Sequence, residues 1–174
     1  MALVAPEDDI RNAYLTGLRN MHALEMSAIE LTQRQTERLE HYPDMKARLT
    51  QHHGESQEQA RRLEGILQRM DSATSSTKNT VSAVMGNVAA ALHTPAQDEV
   101  LKNTFANFAF EHQEIAAYTS LLAMAETVGD TASVPALRQS LSEEQAMADW
   151  IEDHIVPTTR RYLELLGQGA RAGV

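Results

Sequence analysis

The chain has no cysteine among its 174 residues. That excludes disulfides, zinc-thiolate sites, thiolate-bound iron-sulfur clusters and cysteine nucleophiles, and it fits a reducing compartment such as the cytoplasm. Positive charge is scarce. With a formal net charge of -9, a sequence-independent nucleic-acid binder, which needs a basic stripe to displace counterions, is not expected. No apolar run is long enough to cross a bilayer, and Met1 to Asp9 lacks the basic region of a secretory signal. There is no strand-like alternation, no glycine-rich phosphate loop and no serine nucleophile arrangement. The length suits one domain over 1–174, with a short lead over 1–6 and a loose tail from about 167 to 174.

What is present is helical periodicity. Four stretches repeat residues at the three-four spacing of one helix face. The first, after Pro6 and an acidic first turn, runs Tyr14, Leu18, Met21, Glu25, Ala28, Thr32, Gln35 and Leu39. It is expected to end near His41-Tyr42, because Pro43 disfavours helix in the residue before it and opens the next helix. The second runs Met45, Leu49, His52, Ser56, Gln59, Leu63, Ile66 and Met70. Its middle is polar, with His52, Glu55 and Gln59 close together, and Gly54 costs about 1 kcal/mol there relative to alanine. Asp71 to Thr77 reads as a loop and Val81 to Leu92 as a short helix of small residues.

Thr94-Pro95 has the form of an N-cap and first-turn proline for the third long helix. Its inner face is read as Leu101, Thr104, Phe108, Glu111, Ile115, Tyr118, Leu122 and Ala125, with Glu114 one turn beyond Glu111, and Gly129-Asp130 ends it. The fourth face is Leu137, Leu141, Glu144, Ala148, Ile151 and Ile155, continuing past a kink at Pro157 to Tyr162, Leu163 and Leu166.

Each helix thus carries a glutamate at mid-length where an apolar residue is expected. A lone buried carboxylate is costly unless a cation, an arginine or a proton answers it. Glu114 and Glu144 lie within roughly 3 Å in height about the turn near Asp130. Glu25 and Glu55 differ by roughly 6 Å about Tyr42, and Glu58 matches Glu25 better. The expected fold is all-α: a ferritin-like four-helix bundle with a long crossover carrying an additional short helix.

Four segments carry a family resemblance: Ala23-Leu24-Glu25, His52 to Gln59, Glu111-His112-Gln113-Glu114-Ile115-Ala116-Ala117-Tyr118, and Leu141 to Ala146. They resemble the YciF/YciE branch of the ferritin-like proteins, a bacterial stress-associated group. The superfamily pattern implies metal-binding carboxylates at Glu25, Glu55, Glu111, Glu114 and Glu144. Its two Glu-x-x-His histidines are absent, since position 58 is Glu and position 147 is Met. His52 is then the nitrogen ligand to expect, with Glu58 and Glu143 as reserves, and Tyr118 either bonds a ligating carboxylate or is core with its hydroxyl satisfied.

Such a donor set suits one or two iron or manganese ions, with oxygen or peroxide as the reactant the resemblance implies. Two other readings are a non-enzymatic stress protein whose glutamates are protonated or arginine-paired, and iron storage in a cage. A homodimer is expected, because Trp150, Tyr162, Leu163, Leu165 and Leu166 exceed what a four-helix core needs.

Overall fold

The computed structural model describes residues 6–70 and 96–174. Four long helices account for most of them: α1 Pro6–Arg38, α2 Pro43–Arg69, α3 Glu99–Thr127 and α4 Val134–Gly167. No strand occurs among the described residues. The expected loop at 71–77, the short helix at 81–92 and the Thr94-Pro95 cap lie outside them. The third helix begins at Glu99, later than that cap implies, and its N-cap residue Asp98 makes no side-chain capping bond.

α1 packs on α2 and α3 packs on α4, with α1 also beside α3 and α2 beside α4. Cross-links fix the directions. Tyr14 meets Asp130, Glu25 meets Tyr118, Gln35 meets Asn107 and Arg38 meets Glu99, so α1 and α3 are antiparallel. Arg69 meets Ser133 and Arg62 meets Glu143, which sets α2 antiparallel to α4. α2 and α3 are therefore parallel, and the chain must pass from one end of the bundle to the other between Met70 and Ala96. This is the long crossover of a ferritin-like bundle and not a hairpin.

The turns follow from their residues. Pro43 sits in the first turn of α2, and α1 ends five residues earlier, at Arg38. Gly129, at φ 74°, supplies the left-handed residue after α3, and the N–H of Asp130 reaches back to the Ala125 carbonyl at 2.9 Å. α4 continues unbroken through Pro157.

The buried faces of α1 and α2 follow the spacing read from the sequence. That of α3 does not. Its inner row is Val100, Thr104, Asn107, Glu111, Glu114, Tyr118, Leu121 and Ala125, while Leu101, Phe108, Ile115 and Leu122 sit at its margin. On α4, Ser140 and Met147 are buried in preference to Leu141 and Ile155. The C-terminal residues are not loose. Ala172, Gly173 and Val174 are buried, the N–H groups of Val100 and His41 donate to Gly173 and Val174 carbonyls, and the Tyr42 hydroxyl donates to Ala172. A Cβ on Gly173 would collide with the Gln97 backbone, so only glycine lets the tail lie this close.

Two apolar clusters result. One, around Tyr14, Leu18, Leu63, Leu67, Leu121 and Leu137, fills the end where α3 turns into α4. The other, around Leu39, Tyr42, Leu49, Val100, Ile151 and Tyr162, fills the end where α1 turns into α2. Each fully buried aliphatic side chain contributes about 1.5–3 kcal/mol relative to exposure. A polar layer separates the two clusters.

Candidate metal centre

All four helices contribute to that layer. α1 supplies Glu25, α2 His52, Ser56 and Gln59, α3 Glu111, Glu114 and Tyr118, and α4 Glu144, all buried. His52, Glu111, Glu114 and Glu144 each offer one potential ligand atom within 4.8 Å of the others. His52 Nε2 lies 3.2 Å from Glu111 Oε2 and 3.7 Å from Glu144 Oε2, close enough to pair but without hydrogen-bond alignment. Tyr118 donates to Glu25 Oε1 at 2.5 Å.

Unpartnered atoms concentrate here. Among the described residues, the buried side-chain atoms without a hydrogen-bond partner are Glu25 Oε2, His52 Nε2, Ser56 Oγ, Gln59 Oε1, Glu111 Oε2, both oxygens of Glu114, and Glu144 Oε2. Every one belongs to this layer. Buried polar groups are normally satisfied, so a set of orphans confined to one spot asks for a shared partner.

The electrostatics agree. Burial pushes the Glu25 carboxyl up to about 8, against the Tyr118 bond that pulls it down. Burial also pushes Glu144 up to about 9, and raises Glu114 well above the ordinary carboxylate range, with Glu25, Glu144 and Glu111 adding to it. Burial alone would lower His52, but Glu111, Glu55 and Glu144 reverse that and hold it up at about 10. In the absence of a cation the layer keeps protons that these groups ordinarily release by neutral pH.

The remaining candidates lie outside the inner ring. Glu55 is half-buried and faces outward, accepting from Arg48 at 3.0 Å and Gln51 at 2.7 Å, and it touches His52 Nδ1 at 3.1 Å. Its carboxyl is lowered to about 2, chiefly by the His52 bond. A carboxylate on the far nitrogen of an imidazole aims the other nitrogen inward. Glu58 is exposed and paired with Arg61 at 3.1 Å, which corrects the height argument: it points away from the bundle axis. Glu143 is held by Arg62 at 2.6 and 2.9 Å. Ser56 and Gln59 are the residues sequence reasoning missed as part of the site. Gln59 Nε2 donates to both Glu143 and Glu144 and fixes the latter's orientation. Their only signal was to be polar, one and two turns from His52, on a face that is otherwise apolar.

A family model described as a domain of unknown function, DUF892, matches residues 9–164. The chain belongs to the DUF892 family. Among solved structures, a protein from Xanthomonas campestris pv. campestris is similar at 26% identity and a TM-score of 0.77, over 90% of this chain and 97% of that one. The Escherichia coli stress protein YciF is similar at 16% identity and a TM-score of 0.74, over 84% and 94%. A Desulfovibrio desulfuricans bacterioferritin with a diiron site is similar at 16% identity and a TM-score of 0.74, over 98% and 93%. These likenesses show that this DUF892 chain has the ferritin-like bundle fold that YciF and the bacterioferritin share. On α4, Met147, one turn from Glu144, is wholly buried and offers the layer no imidazole. Among the described residues, the imidazole that joins the carboxylates of the layer is His52 on α2. One nitrogen and several carboxylate oxygens from three other helices make a donor set that can hold a cation of hard or borderline character.

Proposed function

We propose that this protein binds one or two iron or manganese ions at mid-bundle. His52, Glu111, Glu114 and Glu144 are the inner ligands, Glu25 completes the set from α1, and Glu55 orients His52 from outside. The observation that carries this reading is the confinement of all the unpartnered buried polar atoms of the described residues to one layer. The diiron site named for the bacterioferritin of the same fold supports it. Bound ions of this kind supply Lewis acidity and one-electron exchange with oxygen or peroxide, which fits a role in stress response. The chain's own part is to hold the ligands, keep water out with an apolar cluster on either side, and take up protons on Glu25, Glu114 and Glu144 when no cation is present.

A second reading is favoured by one observation. His52 as an imidazolium, with protonated carboxyls around it, satisfies the layer without metal, as in a structural stress protein. A thermal melt of the wild type and of Glu114→Gln, each with iron or manganese and with chelator, separates the two. Under the metal reading, chelation lowers the wild-type melting temperature, and the variant loses metal stoichiometry and most of that response. If both proteins respond identically to metal, the proton-held reading stands.

We also propose a homodimer. Between Lys102 and Glu126, α3 carries no Asp, Glu, Lys or Arg except Glu111 and Glu114, both buried, and its outer face presents Phe105, Ala109, Ala116 and Ala123. The apolar residues of the last turns of α4 do not support it equally, since Tyr162 and Leu165 are packed in the core and only Leu163 and Leu166 stay exposed. A monomeric mass by size-exclusion with light scattering would count against the dimer.

A further inference from the structure

The ligand layer is sealed: Glu25, His52, Glu114 and Glu144 have no exposed surface. A reactant needs a way in. At the end of the bundle where α1 turns into α2, a cavity of about 200 Å³ opens to solvent between the Tyr42-Pro43 turn and α4, rimmed by Asp44, Met45, His154 and Arg161. Trp150 and His154 form one wall, their rings stacked at 3.7 Å. Beside it, one step along α4 toward mid-bundle, lies a second, smaller space of about 10 Å³, room for about one water-sized sphere. The two spaces share Met45, Trp150 and His154 in their walls.

The inner space is also lined by Leu49, Asn107 and Met147. These lie three or four residues from His52, Glu111 and Glu144 on the same helices, which is one turn, about 5 Å, short of the ligand layer. The chemistry of the lining selects what can travel. Thr104 and Asn107 are its uncharged polar side chains from α3, and both are already satisfied: Thr104 donates to the Val100 carbonyl at 2.8 Å, and Asn107 exchanges two bonds with Gln35 at 3.0 and 2.8 Å. The rest of the deep wall is Met45, Leu49, Met147 and Ile151. A cation passing here would shed water and gain nothing in return. An apolar diatomic would lose nothing, since small apolar spaces stay dry and take up apolar solutes.

We infer that this passage, from the Tyr42-Pro43 turn past Met45 and Leu49 to Met147, admits dioxygen to the carboxylate layer, with the flexible Met147 side chain as its last barrier. The inference deepens the metal reading and rests on it for its purpose, but the route is tested without metal. The full-length, metal-free protein, labelled with carbon-13 at the methionine methyls, is placed under oxygen pressure, and the paramagnetic relaxation of each methyl is recorded. Met21 is buried as deeply as Met147 but belongs to the opposite apolar cluster, so it serves as the internal control.

The expected result is relaxation at the Met45 and Met147 methyls several-fold above that at Met21. Met45→Trp, which fills the mouth, should return Met147 to the Met21 level. Equal relaxation at Met147 and Met21 in the wild type overturns the passage. So does a Met147 response that Met45→Trp leaves unchanged, since oxygen would then arrive elsewhere. Oxygen reaching Met147 in a protein that binds no iron or manganese would support the route while sinking the metal reading. Metal binding with a silent Met147 would do the reverse.

Discussion

Gln59 carries two tasks with one amide. Its nitrogen bridges Glu143 and Glu144, and its oxygen is left facing the ligand layer without a partner. A glutamate there would add charge to a site already short of cations, whereas the neutral amide holds Glu144 in place at no electrostatic cost. Gly54, five residues earlier on the exposed side of α2, is the opposite case. It is exposed in the middle of α2, and a Cβ there would meet nothing within 4 Å. Its cost is therefore purely one of backbone freedom, and Gly54→Ala should stabilise the protein by about 0.5–1 kcal/mol. A denaturation midpoint that is unchanged or lower, measured at equal metal content, would contradict this account.

At the scale of elements, the C-terminal segment acts as a strap across one end of the bundle. It accepts hydrogen bonds from His41, Val100 and Tyr42, each on a different part of the α1–α2 turn or the start of α3. Deleting Ala172 to Val174 leaves three donors unanswered, two of them on the buried residues Tyr42 and Val100, at roughly 1–3 kcal/mol for each of those two. The melting temperature should drop by several degrees while metal stoichiometry stays the same, because the ligand layer lies at mid-bundle. Unaltered stability after the deletion would show that the strap is not needed. Arg38, paired with Glu99 at 2.6 and 2.7 Å, ties the same end from α1 to α3.

For the whole molecule, the layer makes stability depend on pH. Glu25 and Glu144 titrate in the fold near 8 and 9, above their ordinary 4.5. The stability they lend as protonated groups is complete below about pH 4.5 and is lost as pH rises through those values. His52, held near 10 against an ordinary 6.5, has the same sign: full below about 6.5, lost as pH climbs toward 10. Glu55, at about 2, loses its contribution only in strong acid. The chelated protein should therefore melt at steadily lower temperature as pH rises from about 5 to about 9. Metal replaces those protons, so the loaded protein should show a flat or rising profile over the same window. A chelated protein whose melting temperature rises with pH would mean that the buried carboxylates are paired otherwise.

The sequence by itself determined a helical bundle, the pairing of its helices and the inner faces of α1 and α2, because a three-four repeat and a proline between two repeats are local facts that survive without neighbours. It also singled out Glu25, Glu55, Glu111, Glu114 and Glu144, with His52 beside them, since charges among apolar repeats are conspicuous in one dimension. Only the tertiary structure decided the rest. On α3, apolar residues such as Phe105, Phe108, Phe110 and Ile115 fall on more than one face, so periodicity does not say whether Phe108 and Ile115 or Asn107 and Glu114 face inward; the packing of α1 and α4 selects the second row. Glu55, Glu58 and Glu143 are indistinguishable from the inner carboxylates in a linear reading, and their separation from the inner ring depends on Arg48, Arg61 and Arg62, which come within reach only when the helices are formed and packed. The tail read as loose because a short glycine-containing segment has too little apolar surface to fold alone, and it becomes ordered only where Tyr42 and Val100 offer it donors.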